Sequence, residues 1–364
     1  MVRTIVFLLF ASSLCFGGET MWVKSDERLI FYPAIAQRVP EKNEWRVQLT
    51  GSLFEPEKWN MTIAAVRAAL NLEDVELSAA EQKIFKERAR LFLVDHERGR
   101  SVIADFGKED FKLGKTKPDG VFSREVTISD KIMGSLLVVT NAGAQAARFQ
   151  AALPPEEKRA FRGEVFLLEE AGLSVISDID DTIKVTQVWD RNKMMRNTFA
   201  RNFDPVPGMA KFYQRLARER GAQFHYISAS PWQLYEPLAA FIYDNNFPSG
   251  TFSLKTFRWK NKTALSLFAN PEKYKPTVIE PLLKQFPKRS FILIGDSGER
   301  DPEVYAALAR KYPKQIEGIY IRNVTGEPAS AARYQKVFVG LPDNLWQVFT
   351  RPEELSATLD TNSR

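Results

Sequence analysis

One stretch of the sequence, residues 173–182, constrains the fold of this chain more than any other. Residues 173–176 are mainly apolar and β-branched, which is typical of a buried strand. They lead directly into three carboxylates, Asp178, Asp180 and Asp181. Carboxylates at the mouth of a buried strand repel one another and lose solvation, so they need a compensating cation. Taken alone, the segment also fits an acidic turn, and the surrounding sequence has to decide between the two interpretations.

From residue 173 onward, short strands alternate with amphipathic helices. The pattern predicts, in order, strand 173–177, helix 207–220, strand 223–228, helix 232–244, a strand at 251–255, helix 276–286, strand 290–295, a helix from Pro302 and strand 316–321. This alternation predicts an α/β fold, in which a parallel sheet carries helices on both faces. In such sheets ligands bind beyond the carboxyl ends of the strands.

The N-terminal part of the sequence has a different pattern. Residues 25–150 predict a smaller β-rich domain with a helical insertion at 78–93, and nothing in them resembles a reaction centre. A polar stretch at 154–162 marks the boundary with a second domain, which we place at 163–350.

Residues 1–17 resemble a secretory signal peptide, because one basic residue precedes a short apolar run and small residues follow it. We therefore expect an exported protein, periplasmic or extracellular. Cys15 is the only cysteine, so the mature chain would have no disulfide partner and no thiolate metal site. The net charge of +6 is spread along the sequence, which permits an anionic substrate or membrane surface without requiring either.

Polar side chains follow three of the predicted strands at the points where the strands end. Asp178 and Asp180 follow the first strand, Ser228 ends the second, and Asp296 and Asp301 follow the fourth. Because parallel strands end at the same edge of a sheet, we expect these groups to converge there. Carboxylate oxygens with few waters to spare suit Mg²⁺.

A lysine lies between the second and last of these motifs, and two lysines compete for the role. Lys275 precedes the predicted helix 276–286, and Lys255 ends the strand at 251–255. We favour Lys275, because the start of a helix places cationic and backbone donors together.

The four motifs, taken in this order, resemble those of the haloacid dehalogenase (HAD) superfamily of phosphohydrolases. Within it the chain resembles the catalytic domain of the actin-patch type Mg²⁺-dependent phosphatidate phosphatases and their bacterial relatives. The stretches that carry the resemblance are Ser177-Asp-Ile-Asp-Asp-Thr-Ile183, Ser228-Ala-Ser-Pro-Trp-Gln-Leu234, Gly295-Asp-Ser-Gly-Glu-Arg-Asp-Pro-Glu303 and Ile319-Tyr-Ile-Arg322. The resemblance implies a Rossmann-like (HAD-like) catalytic domain over residues 163–350.

The resemblance also implies the catalytic roles. Asp178 would attack phosphorus and form an aspartyl-phosphate. Asp180 would protonate the leaving alcohol and then deprotonate water. Ser228 and Lys275 would bind the phosphoryl oxygens. Thr182 would stabilise the turn that aims Asp180.

The same resemblance implies a Mg²⁺ site. The ion would lie between Asp178, the backbone carbonyl of Asp180 and Asp296. Asp301 would hold the water shell of the metal or orient Lys275.

The implied function is hydrolysis of a phosphomonoester, with a phosphatidate-like lipid as substrate and peripheral membrane contact. Two alternatives stay open: a phosphatase of a soluble ester such as a sugar phosphate or nucleotide, and a non-catalytic binding scaffold. No nucleic-acid partner is expected. Residues 186–206 predict a short lid. Trp232, Tyr235 and Trp259 are candidates for lining a cleft that accepts a lipid or a base, although aromatic residues in helices more often belong to the core.

Overall fold

The computed structural model describes residues 19–56, 62–70, 72–73, 75–256 and 271–355. The predicted signal peptide at 1–17 and Trp259 lie outside the described residues. The strands are β1 (Arg28–Tyr32), β2 (Ala34–Val39), β3 (Glu44–Pro56), β4 (Val94–His96), β5 (Ser101–Asp105), β6 (Asp110–Lys115), β7 (Val121–Ser129), β8 (Leu137–Val139), β9 (Gln145–Ala151), β10 (Arg162–Leu168), β11 (Ala171–Asp178), β12 (Gln223–Pro231), β13 (Gly250–Lys255), β14 (Lys288–Asp296), β15 (Ile316–Arg322) and β16 (Trp346–Phe349).

The helices follow the same order along the chain. They are α1 (Ile63–Ala69), α2 (Ala79–Arg90), α3 (Asp130–Ser135), α4 (Arg191–Phe199), α5 (Met209–Arg220), α6 (Tyr235–Asp244), α7 (Pro271–Gln285), α8 (Asp301–Lys311) and α9 (Ala332–Val337). None of the helices in the described part of the chain combines the length and hydrophobicity needed to cross a bilayer.

Strands β1–β10 form one sheet, which we call, with α1–α3, the β-rich unit. The long strand β3 is its centre and pairs with β1, β2, β4 and β7. Alternate residues Trp45, Val47 and Leu49 of β3 are buried in one core, as their period of two predicts. The separate β-rich region predicted from the sequence is therefore confirmed.

The transition to the second sheet differs from the predicted boundary at residue 163. Strand β10 pairs with β2 and β9, so it belongs to the first sheet. Sheet membership changes between Leu168 and Ala171, where the chain enters β11.

Strands β11–β16 form a six-stranded parallel sheet in the order β13-β12-β11-β14-β15-β16, which we call, with its helices, the α/β unit. Consecutive residues of β11 enter different cores: Val175 packs with residues of α5 and α6, and Ile176 with residues of α7 and α8. Helices therefore cover both faces, as predicted. Strand order reverses between β11 and β14, and such a reversal opens a crevice at the carboxyl ends of the strands.

Helix α2 joins the two units. Glu81 accepts hydrogen bonds from the guanidinium groups of Arg196 (Nε, 2.7 Å) and Arg201 (Nε, 2.8 Å). The guanidinium of Arg88 donates to the backbone carbonyl of Thr198 at 2.6 Å. The helical insertion predicted at 78–93 thus holds α4, which lies inside the predicted lid at 186–206.

Candidate active site

Three buried aspartates meet at the carboxyl ends of two neighbouring strands. Asp178 ends β11, Asp296 ends β14 and Asp301 begins α8. One carboxylate oxygen of each lies within 4.8 Å of the others, and each residue is no more than 1% exposed. The strand-end rule predicts this convergence of Asp178 and Asp296, which are far apart in sequence.

The loop between Asp296 and Asp301 is shaped by glycine and by backbone hydrogen bonds. A Cβ atom on Gly295 would lie 2.2 Å from Asp301 Oδ2, so only glycine lets this carboxylate approach the strand. Asp301 Oδ2 accepts from the backbone N–H of Asp296 at 3.2 Å. Asp296 Oδ1 accepts from the N–H groups of Gly298 (2.6 Å) and Glu299 (3.2 Å). The loop therefore fixes both carboxylates against the end of β14.

Lys275 enters this acidic cluster from α7. Its ammonium lies 2.9 Å from Asp178 Oδ1 and 2.9 Å from Glu299 Oε2, and it also contacts Asp301. The predicted helix start at 276 was wrong, because α7 begins at Pro271 and Lys275 lies inside the helix. Pro276 mimics a helix start in the sequence, but here the helix tolerates it in its second turn.

The rival lysine, Lys255, takes a different position. It is half-buried at the end of β13, paired with Pro231 of β12. One strand separates β13 from β11. The geometry therefore favours Lys275 as the cation beside Asp178.

The cluster carries more negative charge than Lys275 balances. Burial, followed by repulsion from Asp301 and Asp178, raises the pKa of Asp296 well above its ordinary value. Burial and the neighbouring carboxylates likewise raise the pKa of Asp178, against the opposing effect of Lys275. Asp296 Oδ2 is buried and has no hydrogen-bond partner among the described residues. An orphaned carboxylate oxygen among hard oxygen donors fits a divalent cation such as Mg²⁺.

Asp180 points to a different set of partners. Its Oδ1 lies 2.7 Å from Lys184 Nζ, and its Oδ2 accepts from Ser228 Oγ at 2.7 Å. The hydroxyl groups of Thr186 (2.9 Å) and Ser230 (3.3 Å) complete the shell. Burial alone would raise the pKa of Asp180, but Lys184 and these hydroxyl donors outweigh burial and hold the pKa below its ordinary value.

Two side chains bond across the turn after β11. Thr182 Oγ1 donates to Asp178 Oδ2 at 2.9 Å, so it spans the turn and orients Asp178. Asp181, with a left-handed φ of 55°, accepts from the backbone N–H groups of residues 186–188 at 2.7–2.8 Å. The turn is therefore stabilised by Asp181, because its side chain is the one that faces these donors.

Sequence reasoning missed Glu299 as a member of the site, and it placed Lys184 near the site without assigning it a role. The side chain of Glu299 is 17% exposed, and Lys275 holds it. Lys184 is 1% exposed and lies four residues after Asp180. The two residues lie in a turn and not in a helix, so their spacing gives no periodic signal in the sequence. The signal available for both was an acidic or basic residue inside a motif that already bears charge.

Comparison with known proteins supports the motif analysis. Residues 173–323 match the family model described as phosphatidate phosphatase APP1, catalytic domain. The resemblance predicted from the motifs is confirmed over this span. The chain is also 35% identical over 188 residues to phosphatidate phosphatase APP1 of Saccharomyces cerevisiae, which covers 51% of this chain and 32% of that protein.

A second relative extends the similarity into the β-rich unit. An uncharacterised protein of Schizosaccharomyces pombe is 26% identical over 272 residues, covering 73% of this chain and 43% of that protein. The chain thus spans less than half the length of both relatives. A solved carbohydrate esterase chain aligns with a TM-score of 0.22 at 10% identity, covering 84% of this chain and 91% of that chain, and carries no argument at that score.

Proposed function

We propose that the α/β unit is a HAD-like, Mg²⁺-dependent phosphomonoesterase that works through an aspartyl-phosphate. The observation that carries the proposal is the meeting of Asp178, Asp296 and Asp301 around an orphaned carboxylate oxygen. Asp178, Asp296 and the backbone carbonyl of Asp180 would hold the ion, with Asp301 supporting its water shell. When bound, Mg²⁺ neutralises charge so that an anionic nucleophile can approach an anionic phosphate.

Asp178 is the proposed nucleophile. Thr182 contacts one of its carboxylate oxygens and Lys275 the other, and together they orient it. In the first half-reaction a bond forms between Asp178 and phosphorus while the bond from phosphorus to the alcohol oxygen breaks. In the second, water attacks phosphorus and the bond to Asp178 breaks, which releases inorganic phosphate. Lys275 stays cationic, because the surrounding carboxylates raise its pKa against the effect of burial.

Asp180 is the group we propose to move the protons. It donates a proton to the leaving alcohol oxygen and later accepts one from the attacking water. Its low pKa in the free protein favours the ionised form that the second half-reaction needs. An anionic phosphate beside it raises its pKa, which favours the protonated form that the first needs. Ser228, 2.7 Å from Asp180, would orient it and reach a phosphoryl oxygen.

Phosphatidate, or a lipid phosphate like it, is our proposed substrate. The name of the yeast relative, together with the family model, supports this choice. Hydrolysis of a soluble ester and a binding scaffold remain the rival functions.

The deciding experiment measures hydrolysis of p-nitrophenyl phosphate with Mg²⁺ and with a chelator. We expect activity only with Mg²⁺, and a loss of at least about a thousandfold in Asp178→Asn. Asp343→Asn, which changes an exposed carboxylate far along the chain, is the matched control. No Mg²⁺-dependent release, with Asp178→Asn behaving like the parent, would leave the scaffold hypothesis. Phosphatidate in mixed micelles, compared with glycerol 3-phosphate, then separates a lipid from a soluble substrate.

We also propose that the protein is exported and that the catalytic domain, predicted at 163–350, begins with β11 at Ala171. The export proposal is supported by the sequence pattern of residues 1–17. Cell fractionation with sequencing of the mature N-terminus tests it, and an uncleaved chain found only in the cytoplasm would contradict it.

A further inference from the structure

A cavity of about 220 Å³ lies between the β-rich unit and the α/β unit. Its walls come from β1, β3, β4 and β7 on one side and from Trp232, Gln233 and Thr256 on the other. The mechanism proposed above does not use this space, and most of its wall is apolar.

Two wall residues of the cavity, Trp232 and Thr256, follow strands at the edge of the parallel sheet where the acidic cluster lies. Trp232 follows the last residue of β12 and lies two residues after Ser230, whose hydroxyl is 3.3 Å from Asp180. Thr256 follows the last residue of β13. Because neighbouring strands lie about 4.8 Å apart, this wall is displaced from β11 by roughly 5–10 Å along the edge. The phosphate position at Asp178 and this wall are thus separated by a distance that an alkyl chain of a few carbons spans.

The wall from the β-rich unit carries apolar side chains beside the polar residues Thr50, Ser52, His96 and Asp119, on a sheet face that is ordinarily polar. Ile30, Phe54 and Val121 line the cavity. Their chain neighbours Leu29 and Leu53 point to the opposite face and fill the core of the unit. The outward face of an antiparallel sheet usually carries polar residues, so apolar side chains here indicate an apolar ligand.

Aromatic packing fixes the wall on the side of the α/β unit. The ring of Trp232 packs on Tyr32 with centroids 4.1 Å apart, and Tyr235 meets Tyr32 edge-on at 5.2 Å. The side chains of Arg28 and Glu236 form an ion pair between the units beside them. The cavity is thus held open by contacts of both units.

We infer that this cavity binds the alkyl chain of the phosphomonoester whose phosphate lies at Asp178. The inference rests on the proposed function and adds the place where a lipid is distinguished from a soluble ester. The volume matches roughly seven groups of the size of a water molecule or a methylene, taking about 30 Å³ for each. It exceeds the roughly 150 Å³ of an apolar cavity that accepts benzene.

The first test measures kcat/KM for a series of n-alkyl phosphates, from ethyl to decyl, kept below the concentration at which they form micelles. We expect a rise of roughly fourfold for each methylene that is buried, followed by a plateau when the cavity is full. Equal kcat/KM for ethyl and octyl phosphate would overturn the inference.

Two substitutions in the wall should change the dependence of kcat/KM on chain length in opposite directions. Ile30→Trp fills the cavity and should lower the ratio of kcat/KM for octyl over ethyl phosphate by tenfold or more. Val121→Ala enlarges it and should shift the plateau to longer chains. Val139→Trp, at a position that is 74% exposed on β8, is the control and should keep the parent ratio. An unchanged ratio in Ile30→Trp, or an equal loss on both esters, would count against the cavity.

A binding measurement separates failure of this inference from failure of the proposed function. Titration calorimetry of Asp178→Asn with octyl phosphate should show tighter binding than with ethyl phosphate and a negative heat-capacity change. Ile30→Trp in the same background should remove the difference. If the parent hydrolyses no ester but octyl phosphate still binds in this way, the catalytic proposal falls and the cavity assignment stands. If both esters bind equally, the cavity assignment falls whatever the activity.

Discussion

The described residues contain two clusters of three carboxylates, and their surroundings differ. The first comprises Glu27, Glu55 and Glu97 in the β-rich unit, and the second Asp178, Asp296 and Asp301 in the α/β unit. In both, carboxylate oxygens lie within 4.8 Å of one another. Geometry alone therefore does not distinguish a structural cluster from a site that binds a cation.

Two cations supplied by the chain offset most of the negative charge of the first cluster. Lys24 lies 3.4 Å from Glu27, 3.0 Å from Glu55 and 3.6 Å from Glu97. Arg100 contacts Glu27 and lies 3.4 Å from Glu97. Two cations face three carboxylates here, so most of the charge is met without an ion.

The aspartate cluster lacks that balance. Within the part of the chain that the structure describes, its ion pairs involve Lys275, which is shared with Glu299. Asp296 Oδ2 receives no hydrogen bond there. The difference teaches that unmet charge, more than the number of carboxylates, marks the functional cluster.

The largest expected effect compares one substitution in each cluster. Asp296→Asn should abolish Mg²⁺ binding and lower kcat/KM by about a thousandfold or more, because it removes the orphaned charge that would face the ion. Glu55→Gln should leave both unchanged. Calorimetric titration with Mg²⁺ and steady-state hydrolysis measure the two quantities. Loss of Mg²⁺ binding in Glu55→Gln would break the comparison.

Next in size are opposite effects on stability without metal. Asp296→Asn should raise the free energy of unfolding by about 1–3 kcal/mol, because it removes a buried, unpaired charge and can donate to the neighbouring carboxylates. Glu27→Gln should lower it by about 1–3 kcal/mol, because Arg100 and Lys24 lose the buried charge of Glu27. Urea unfolding in a chelator checks both values. The same sign for both variants would contradict the comparison.

A smaller effect is expected in the pH dependence of the stability that Asp296→Asn gains over the parent. The pKa of Asp296 is raised in the folded protein, chiefly by burial. As pH rises above about 3.9, Asp296 loses its proton in the unfolded protein but keeps it in the folded protein. The metal-free parent therefore loses stability as pH rises. The advantage of Asp296→Asn should shrink by about 1–2 kcal/mol between pH 7 and pH 4. An advantage that grows toward pH 4 in urea titrations would show the opposite sign.

The smallest effect concerns Glu81, a carboxylate that two arginines neutralise and that lies outside the proposed metal site. The side chain of Glu81 closes a capping box with Ser78 at the start of α2, and Arg196 and Arg201 hold the pKa of Glu81 below its ordinary value, against burial. Ser78→Ala removes one cap bond and should cost about 1 kcal/mol in the free energy of unfolding, with kcat unchanged. Thermal unfolding with parallel assays measures this. A change in kcat comparable to that of Asp296→Asn would mean that stability and catalysis are not separated as we infer.

The convergence of Asp178 and Asp296 could be predicted from sequence because parallel strands end together. Each motif follows an apolar run, so the strand ends were marked. Strands β6, β9, β10 and β16 were not predicted; in β6 and β9 the few large apolar residues carry little periodic signal.

The partners of individual side chains could not be predicted. Thr182 bonds Asp178, and Lys184 pairs with Asp180, within one irregular turn whose backbone no periodicity describes. The start of α7 was misplaced because a proline inside a helix looks like a proline that begins one. These features depend on tertiary packing that a local pattern does not encode.

Helix α2 has a consequence for how this protein can be divided or recombined. It lies outside the span that matches the catalytic family model, yet Arg88 and Glu81 tie it to α4 inside that span. A chain cut at residue 163 would leave Arg196 without Glu81 and the backbone carbonyl of Thr198 without Arg88. A chimera that borrows the α/β unit from a relative must therefore inherit α2 from the same parent, and the two segments should change together in evolution.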